Sequence, residues 1–226
     1  MGIPTSRWIE SVGFGWKKRR HQEVGENTTI RNNAKIFGYE AVILVNGGNV
    51  LIVESDDIRA HYVGLHIAGG DVSVENNTIH DIVAATGSGI FIEGTQSVSV
   101  TNGNIIRDCH YGIRISTNSS TVIRDGNEIF DNEYGISVQG GNASIRYNNS
   151  IHHNQWGIYL NTSHGPEVSN NNTIENNSDY GTYIYNANLT YMRMEWNGII
   201  YSASDLTLIL YPCPAKSTSA SPSASR

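Results

Sequence analysis

A segment of about two dozen residues recurs along most of this 226-residue chain, and it restricts the possible folds more than any other feature. The clearest copy is NEIFDNEYGISVQG, Asn127 to Gly140. NIIRDCHYGIRIS (Asn104 to Ser116), NSIHHNQWGIYL (Asn149 to Leu160) and DDIRAHYVGLHI (Asp56 to Ile67) are variants of it. Each has an Ile, a small or polar stretch, and a step into an alternating apolar run. The residue before that step serves as a register mark. The marks are Ala41, Gly64, Gly89, Gly112, Gly135, Gly157 and Gly181, at spacings of 23, 25, 23, 23, 22 and 24 residues. A fixed period of this size predicts a solenoid, in which each unit buries its apolar face against its neighbours.

The local pattern is that of strands. Ile113-Arg114-Ile115, Ile136-Ser137-Val138 and Ile158-Tyr159-Leu160 alternate with period two and are rich in β-branched residues. A second run follows in each unit, as in Val72-Ser73-Val74 and Val98-Ser99-Val100, and a third short strand surrounds the Ile of an N-x-I element. Asn and Gly clusters between them are turn chemistry. No segment shows a helical period, and the L-x-x-L-x-L spacing of a leucine-rich repeat is absent. The prediction is an all-β, single-stranded parallel β-helix with about 22–25 residues and three short strands per coil.

From Asn27 to roughly Asn197 these repeats resemble those of the right-handed parallel β-helix proteins of the pectate-lyase-like superfamily. Within it they are most similar to the carbohydrate-binding and sugar-hydrolase repeats of NosD-type periplasmic proteins. The resemblance implies a right-handed coil and a carbohydrate ligand. The fold alone does not choose among the activities it hosts.

Stacked coils lie ~4.8 Å apart, so equivalent side chains touch. Three residues before the marks stand His61, Cys109, Asn132 and Asn154, with Asn177 one residue further back. An Asn side chain both donates and accepts, so Asn132, Asn154 and Asn177 are expected to form a ladder. The row just before the marks is aromatic in the later units (Tyr111, Tyr134, Trp156, Tyr180), and stacking on one another is the expected role. A platform for sugar rings is the sharper alternative.

The organisation expected is an N-terminal capping segment (1–26), a β-helix domain (27–211) and a disordered Ser/Ala/Pro-rich tail (212–226). The chain reads as a piece of a longer exported protein, extracellular, at the cell surface or periplasmic, although Met1 to Arg20 carries no signal-peptide pattern. A net charge of −6 argues against nucleic-acid binding, and no run is apolar enough for a membrane span. Cys109 falls on an inward column and reads as a small hydrophobe; Cys213 lies in the tail, too distant for a bond.

Strand alternation sends the residues two and four after each mark outward. The first outward row is His66, Phe91, Arg114, Ser137, Tyr159, Tyr183; the second is Ala68, Glu93, Ser116, Gln139, Asn161, Tyr185. Together they make one sheet face with the vocabulary of polysaccharide contact, Phe91, Gln139, Tyr159, Asn161, Tyr183 and Tyr185 being the binding candidates. An insertion within HDIVAATGS, four residues longer than the standard element, borders that face near Phe91 and Glu93.

A catalytic site on this face would use Glu93 as acid or base, Arg114 to neutralise a substrate carboxylate, and His66. That describes a lyase, hydrolase or uronate epimerase acting on an acidic glycan. Only one carboxylate lies in the two rows, short of the pair a glycosidase needs unless Asp81 contributes. Asp56-Asp57 and Arg114-Ile115-Ser116 faintly resemble the paired Asp and Arg-Ile-Lys elements of polygalacturonases, but Ser116 replaces the Lys and no Gly-His-Gly is present. His110-Tyr111-Gly112-Ile113 continues into Arg114-Ile115, so the Asp-Pro-His element of mannuronan epimerases is missing. The column four before the marks, Asp108 and Asp131 with Asp81 roughly aligned, is the candidate calcium site. Its alternative is a row of turn residues, with Arg107 pairing Asp108. Carbohydrate binding or a structural role is the leading expectation, with an enzyme second.

Overall fold

The computed structural model describes residues 7–9, 22–32, 35–55, 57–94, 97–116, 120–162, 164–169, 171–187, 193–196 and 199–201. Every regular element among them is a β-strand, and three strands recur per coil. Sheet 1 takes the strands that start at the marks: Ser88–Ile92, Tyr111–Ile115, Tyr134–Val138, Trp156–Thr162 and Tyr180–Ala187. Sheet 2 takes Ser97–Thr101, Ser120–Arg124, Asn142–Arg146 and Glu167–Ser169. Sheet 3 has seven strands, Ile36–Gly38, Ile58–Ala60, Thr78–His80, Ile105–Arg107, Glu128–Phe130, Ser150–His152 and Thr173–Glu175. In two early coils a single 13-residue strand, Ala41–Val53 or Val63–Glu75, bends from sheet 1 into sheet 2 without a break. The pairing between coils is parallel, and only the last described pair, Arg193–Trp196 with Ile199–Tyr201 at the end of sheet 2, is antiparallel.

The register explains the repeat. Ile113 pairs Ile136, which pairs Ile158, and on sheet 3 Ile106, Ile129 and Ile151 are level. These six side chains are all fully buried. The core is therefore a set of aliphatic columns, each side chain contributing about 1.5–3 kcal/mol by leaving water. Glycine at the mark has its own cause. A Cβ on Gly112 or Gly135 would sit 2.6 Å from the mark carbonyl of the next coil, so the backbones approach too closely for any side chain.

The three-residue expectation for the Asn ladder holds. Asn132 donates through Nδ2 to Asn154 Oδ1 at 3.0 Å, and Asn154 donates likewise to Asn177 at 3.0 Å. A second, longer ladder runs along the corner between sheets 2 and 3. There Asn77, Asn104, Asn127, Asn149 and Asn172 are joined Nδ2 to Oδ1 at 2.8–3.1 Å. Its signal was present as the Asn of every N-x-I element, which the repeat pattern alone had marked only as a strand boundary.

The segment before residue 27 takes part in the pairing as well. Gln22–Val24 lies parallel to Ile43–Val45 in sheet 1, and Arg7–Ile9 lies parallel to Thr28–Ile30. The rest of the expected capping segment up to residue 21, the end of the β-helix domain from 202 and the tail with Cys213 fall outside the described residues.

Candidate functional site

The outer face of sheet 1 carries its side chains in the predicted rows. His66, Phe91, Arg114, Ser137, Tyr159 and Tyr183 are level from coil to coil. The second row departs from expectation at its end. The register steps between Leu160 and Asn161, so Asn161 pairs Asn186 and Tyr185 leaves the row. Tyr185 stands 64% exposed. Ser137 is outward yet fully covered, because Gln139 Nε2 donates to its hydroxyl at 3.2 Å and larger neighbours flank it.

The face divides into two halves. In the first, His66 Nε2 lies 2.6 Å from Glu93 Oε1, so two of the three proposed catalytic groups touch. His66 also stacks on Phe91 with ring centroids 5.1 Å apart. Arg114 is held differently. Its guanidinium lies 5.2 Å from the Phe91 ring and 5.0 Å from the Tyr111 ring, and one Nη donates to Gln139 Oε1 at 3.2 Å. Its Nε is buried with no hydrogen-bond partner. Among the described residues no carboxylate lies within ion-pair distance of Arg114, Glu93 included.

The second half is aromatic. Tyr111 stacks on Tyr134 at 5.0 Å and Tyr134 on Trp156 at 5.7 Å, both nearly parallel; Tyr180 follows, tilted, at 5.1 Å. The adjacent column, Tyr159 on Tyr183, meets the first edge to face: Trp156 and Tyr183 are 4.8 Å apart at 87°. The ring faces are spent on one another, and the outward surface consists of edges and phenol hydroxyls. Burial raises the pKa of both Tyr134 and Tyr159, which keeps those hydroxyls protonated as donors.

The candidate calcium column has another explanation. Asp81, Asp108, Asp131, His153 and Asn176 all adopt left-handed backbone, φ 53–55°, at the corner between sheets 3 and 1. Asp and Asn tolerate this conformation better than other non-glycine residues, so it selects them. Arg107 pairs Asp108, while Asp81 faces His80 and Arg59. Among the described residues no three His, Cys, Asp or Glu side chains are placed to hold a metal ion.

Cys109 replaces the ladder residue one coil before Asn132. Its thiol donates to Arg107 O as the Asn amides do to their own strands, and its N–H donates to Asn132 Oδ1. Burial pushes its pKa up to about 12, so it is an inert neutral thiol. The insertion starts just after Ile82, which occupies the same corner position one coil earlier. It folds back over the preceding coil, Ala84 N donating to His61 O and Ser88 N to Tyr62 O.

Parallel coils, inward aliphatic columns and corner Asn ladders are now joined by a sequence comparison: residues 21–194 match the right handed beta helix region family. The chain belongs to that family. No curated protein and no solved structure matches it. Family membership accounts for the right-handed coil and leaves the activity to be argued from the side chains. Among the described residues no helix is long and apolar enough to cross a membrane.

Proposed function

We propose that this right-handed β-helix binds an acidic polysaccharide along the outer face of sheet 1, in an extracellular, surface or periplasmic setting. The observation that carries this reading is Arg114. It is a half-buried guanidinium clamped by Phe91, Tyr111 and Gln139, with no carboxylate partner. A guanidinium fixed in place with donors to spare favours a planar anion such as a uronate carboxylate. Rows of polar groups repeat every ~4.8 Å along the axis, so an extended chain meets the same face rung after rung. The tyrosine hydroxyls and Gln139 supply donors and acceptors for sugar hydroxyls.

Affinity electrophoresis through gels containing polygalacturonate, alginate or a neutral glucan tests this. Retardation by an acidic gel, lost in Arg114→Ala and partly kept in Arg114→Lys, is the expected result. Equal mobility of wild type and Arg114→Ala in every gel rejects it.

The Glu93–His66 contact supports a second reading, in which the same face cleaves or epimerises the glycan with Glu93 as base. Shortened chains or altered uronate stereochemistry, abolished by Glu93→Gln with binding retained, would establish it.

A further inference from the structure

One outward column of sheet 3 carries a histidine at two places with opposite surroundings. His80 is buried, and both its ring nitrogens face carboxylates: Nε2 lies 3.1 Å from Asp57 Oδ1 in the preceding coil, and Nδ1 lies 3.1 Å from Asp81 Oδ2. Arg59 closes the ring of charges, forking onto Asp57 and reaching Asp81 Oδ2 at 3.3 Å. Both nitrogens of His80 are therefore occupied within the chain.

His152 stands in the same column, after Arg107 and Phe130. Only one of its nitrogens meets a carboxylate: Nε2 lies 3.3 Å from Glu128 Oε1 in the preceding coil. The ring lies flat on Phe130, with centroids 5.2 Å apart and planes at 7°. Stacking fixes the plane of the ring, and donation of Nε2–H to Glu128 fixes its tautomer, so Nδ1 keeps a lone pair. That Nδ1 lies 2.7 Å from Nδ1 of His153. Successive strand residues ordinarily point to opposite faces. The left-handed backbone of His153, φ 55°, breaks the alternation and sets its ring edge-on to His152 at 88°.

Two imidazole nitrogens this close suit a shared cation. Ligands at right angles on a metal with bonds of ~2.05 Å lie about 2.9 Å apart, and at the tetrahedral angle about 3.3 Å. The observed 2.7 Å is nearer the first, which favours a cation of tetragonal or octahedral habit with a liking for imidazole. His153 is exposed, so its proton can pass through water to Nε2 and free Nδ1. The surroundings are negative: Glu128 touches His152, Glu175 is level with it in the next coil, and Asp131 precedes His153 in the left-handed column. Among the described residues neither Asp131 nor Glu175 has a cationic partner, so the local field draws a cation in.

We propose that His152 and His153 form an open two-histidine site for a divalent transition cation, held in cis by the two Nδ1 atoms, with Glu128 as a positioning residue. No third described side chain is placed to coordinate, so water fills the remaining positions and the cation stays accessible to a donor from outside the chain. The site lies on sheet 3 and does not rest on the sheet 1 reading.

Calorimetric titration of the full chain with Ni²⁺ near neutral pH, with Mg²⁺ as the oxygen-preferring comparison, provides the test. The tightest class of Ni²⁺ binding is expected at one per chain, with Mg²⁺ much weaker. His153→Asn should weaken that class roughly ten-fold or more. It keeps the corner intact, because Asn176 has the same left-handed backbone one coil on, and an unchanged melting midpoint checks this. Glu128→Gln should weaken it roughly ten-fold, the usual scale for losing the carboxylate behind a ligand histidine. In spectra of the imidazole nitrogens, paramagnetic Ni²⁺ should broaden His152 and His153 first. Absence of Ni²⁺ binding, Mg²⁺ binding of equal strength, affinity unchanged in His153→Asn, or broadening that begins at another histidine overturns the site. An unchanged affinity in Glu128→Gln overturns the role given to that carboxylate.

Discussion

The two ladder corners solve the same problem with different completeness. Between sheets 2 and 3, five asparagines run without interruption from Asn77 to Asn172. Between sheets 3 and 1, three asparagines run from Asn177 back to Asn132 and then give way to Cys109 and Ile82. Each corner is entered through a left-handed residue, and each internal Asn bonds a carbonyl of its own coil, one of the preceding coil and the next Asn. From Asn104 to Asn172 the longer ladder keeps one turn, each amide donating to the carbonyl three residues back, and Asn77 sheds a single turn residue without leaving the ladder. The corner between sheets 2 and 3 keeps Asn at every rung from Asn77 to Asn172, whereas the lapsed one accommodates six residues, 83–88, immediately after Ile82. Variation is admitted where the ladder has stopped.

The sharpest way to break the contrast is inside the longer ladder. Asn127→Ala would leave Val100 O, Arg124 O and Asn104 N–H buried without that partner. We expect a loss on the order of 3 kcal/mol, read as a melting midpoint lower by roughly 6–12 °C. Asn177→Ala, at the end of the shorter ladder, should cost about half as much, because fewer buried groups depend on it. Equal losses at the two positions would mean that the ladders do not act as continuous units.

A smaller effect probes the break itself. Cys109→Asn would add a rung, with its amide able to reach Arg107 O and Asn132 Oδ1 as its neighbours do, and should raise stability by about 1 kcal/mol or less. A fall of that size in a denaturant titration would show a site shaped for sulfur.

The thiol also gives a pH signature. Its native pKa of about 12 lies above the ordinary value of 9.0, so the folded form keeps a proton that the unfolded form releases. The associated stability is complete below pH 9 and declines as pH rises from there toward 12. Cys109→Ala should flatten that decline, and the native thiol should resist disulfide reagents at pH 8 in a Cys213→Ser background. The smallest expected change is Arg114→Ala, about 0.5 kcal/mol or less, since its place on the sheet 1 face contributes to neither ladder.

Much of this architecture is written in the period. The marks, the inward Ile columns, the outward rows of sheet 1, the aromatic column and the short Asn ladder all follow from spacing, because a solenoid converts spacing into contact. The longer ladder was equally periodic but was hidden by its regularity: Asn in N-x-I reads as turn chemistry until the coil registers are aligned. Two features resisted for physical reasons. The register step at Leu160–Asn161 is a local irregularity with no residue signature, and it displaced Tyr185. The Asp57–Arg59–His80–Asp81 ring needs the outward residues of sheet 3 from two successive coils, which become neighbours only once the corner before the insertion is aligned.

The unbroken ladder also makes length a free variable of this molecule. Asn127 and Asn149 occupy the same place one coil apart, 22 residues along the chain. Copying that stretch in tandem would present each junction with the partners it already has, so a gene duplication of one coil meets little structural resistance. The protein can therefore be extended in whole-coil increments, and a surface patterned on its coils would grow with it as a ruler does, by graduations rather than continuously.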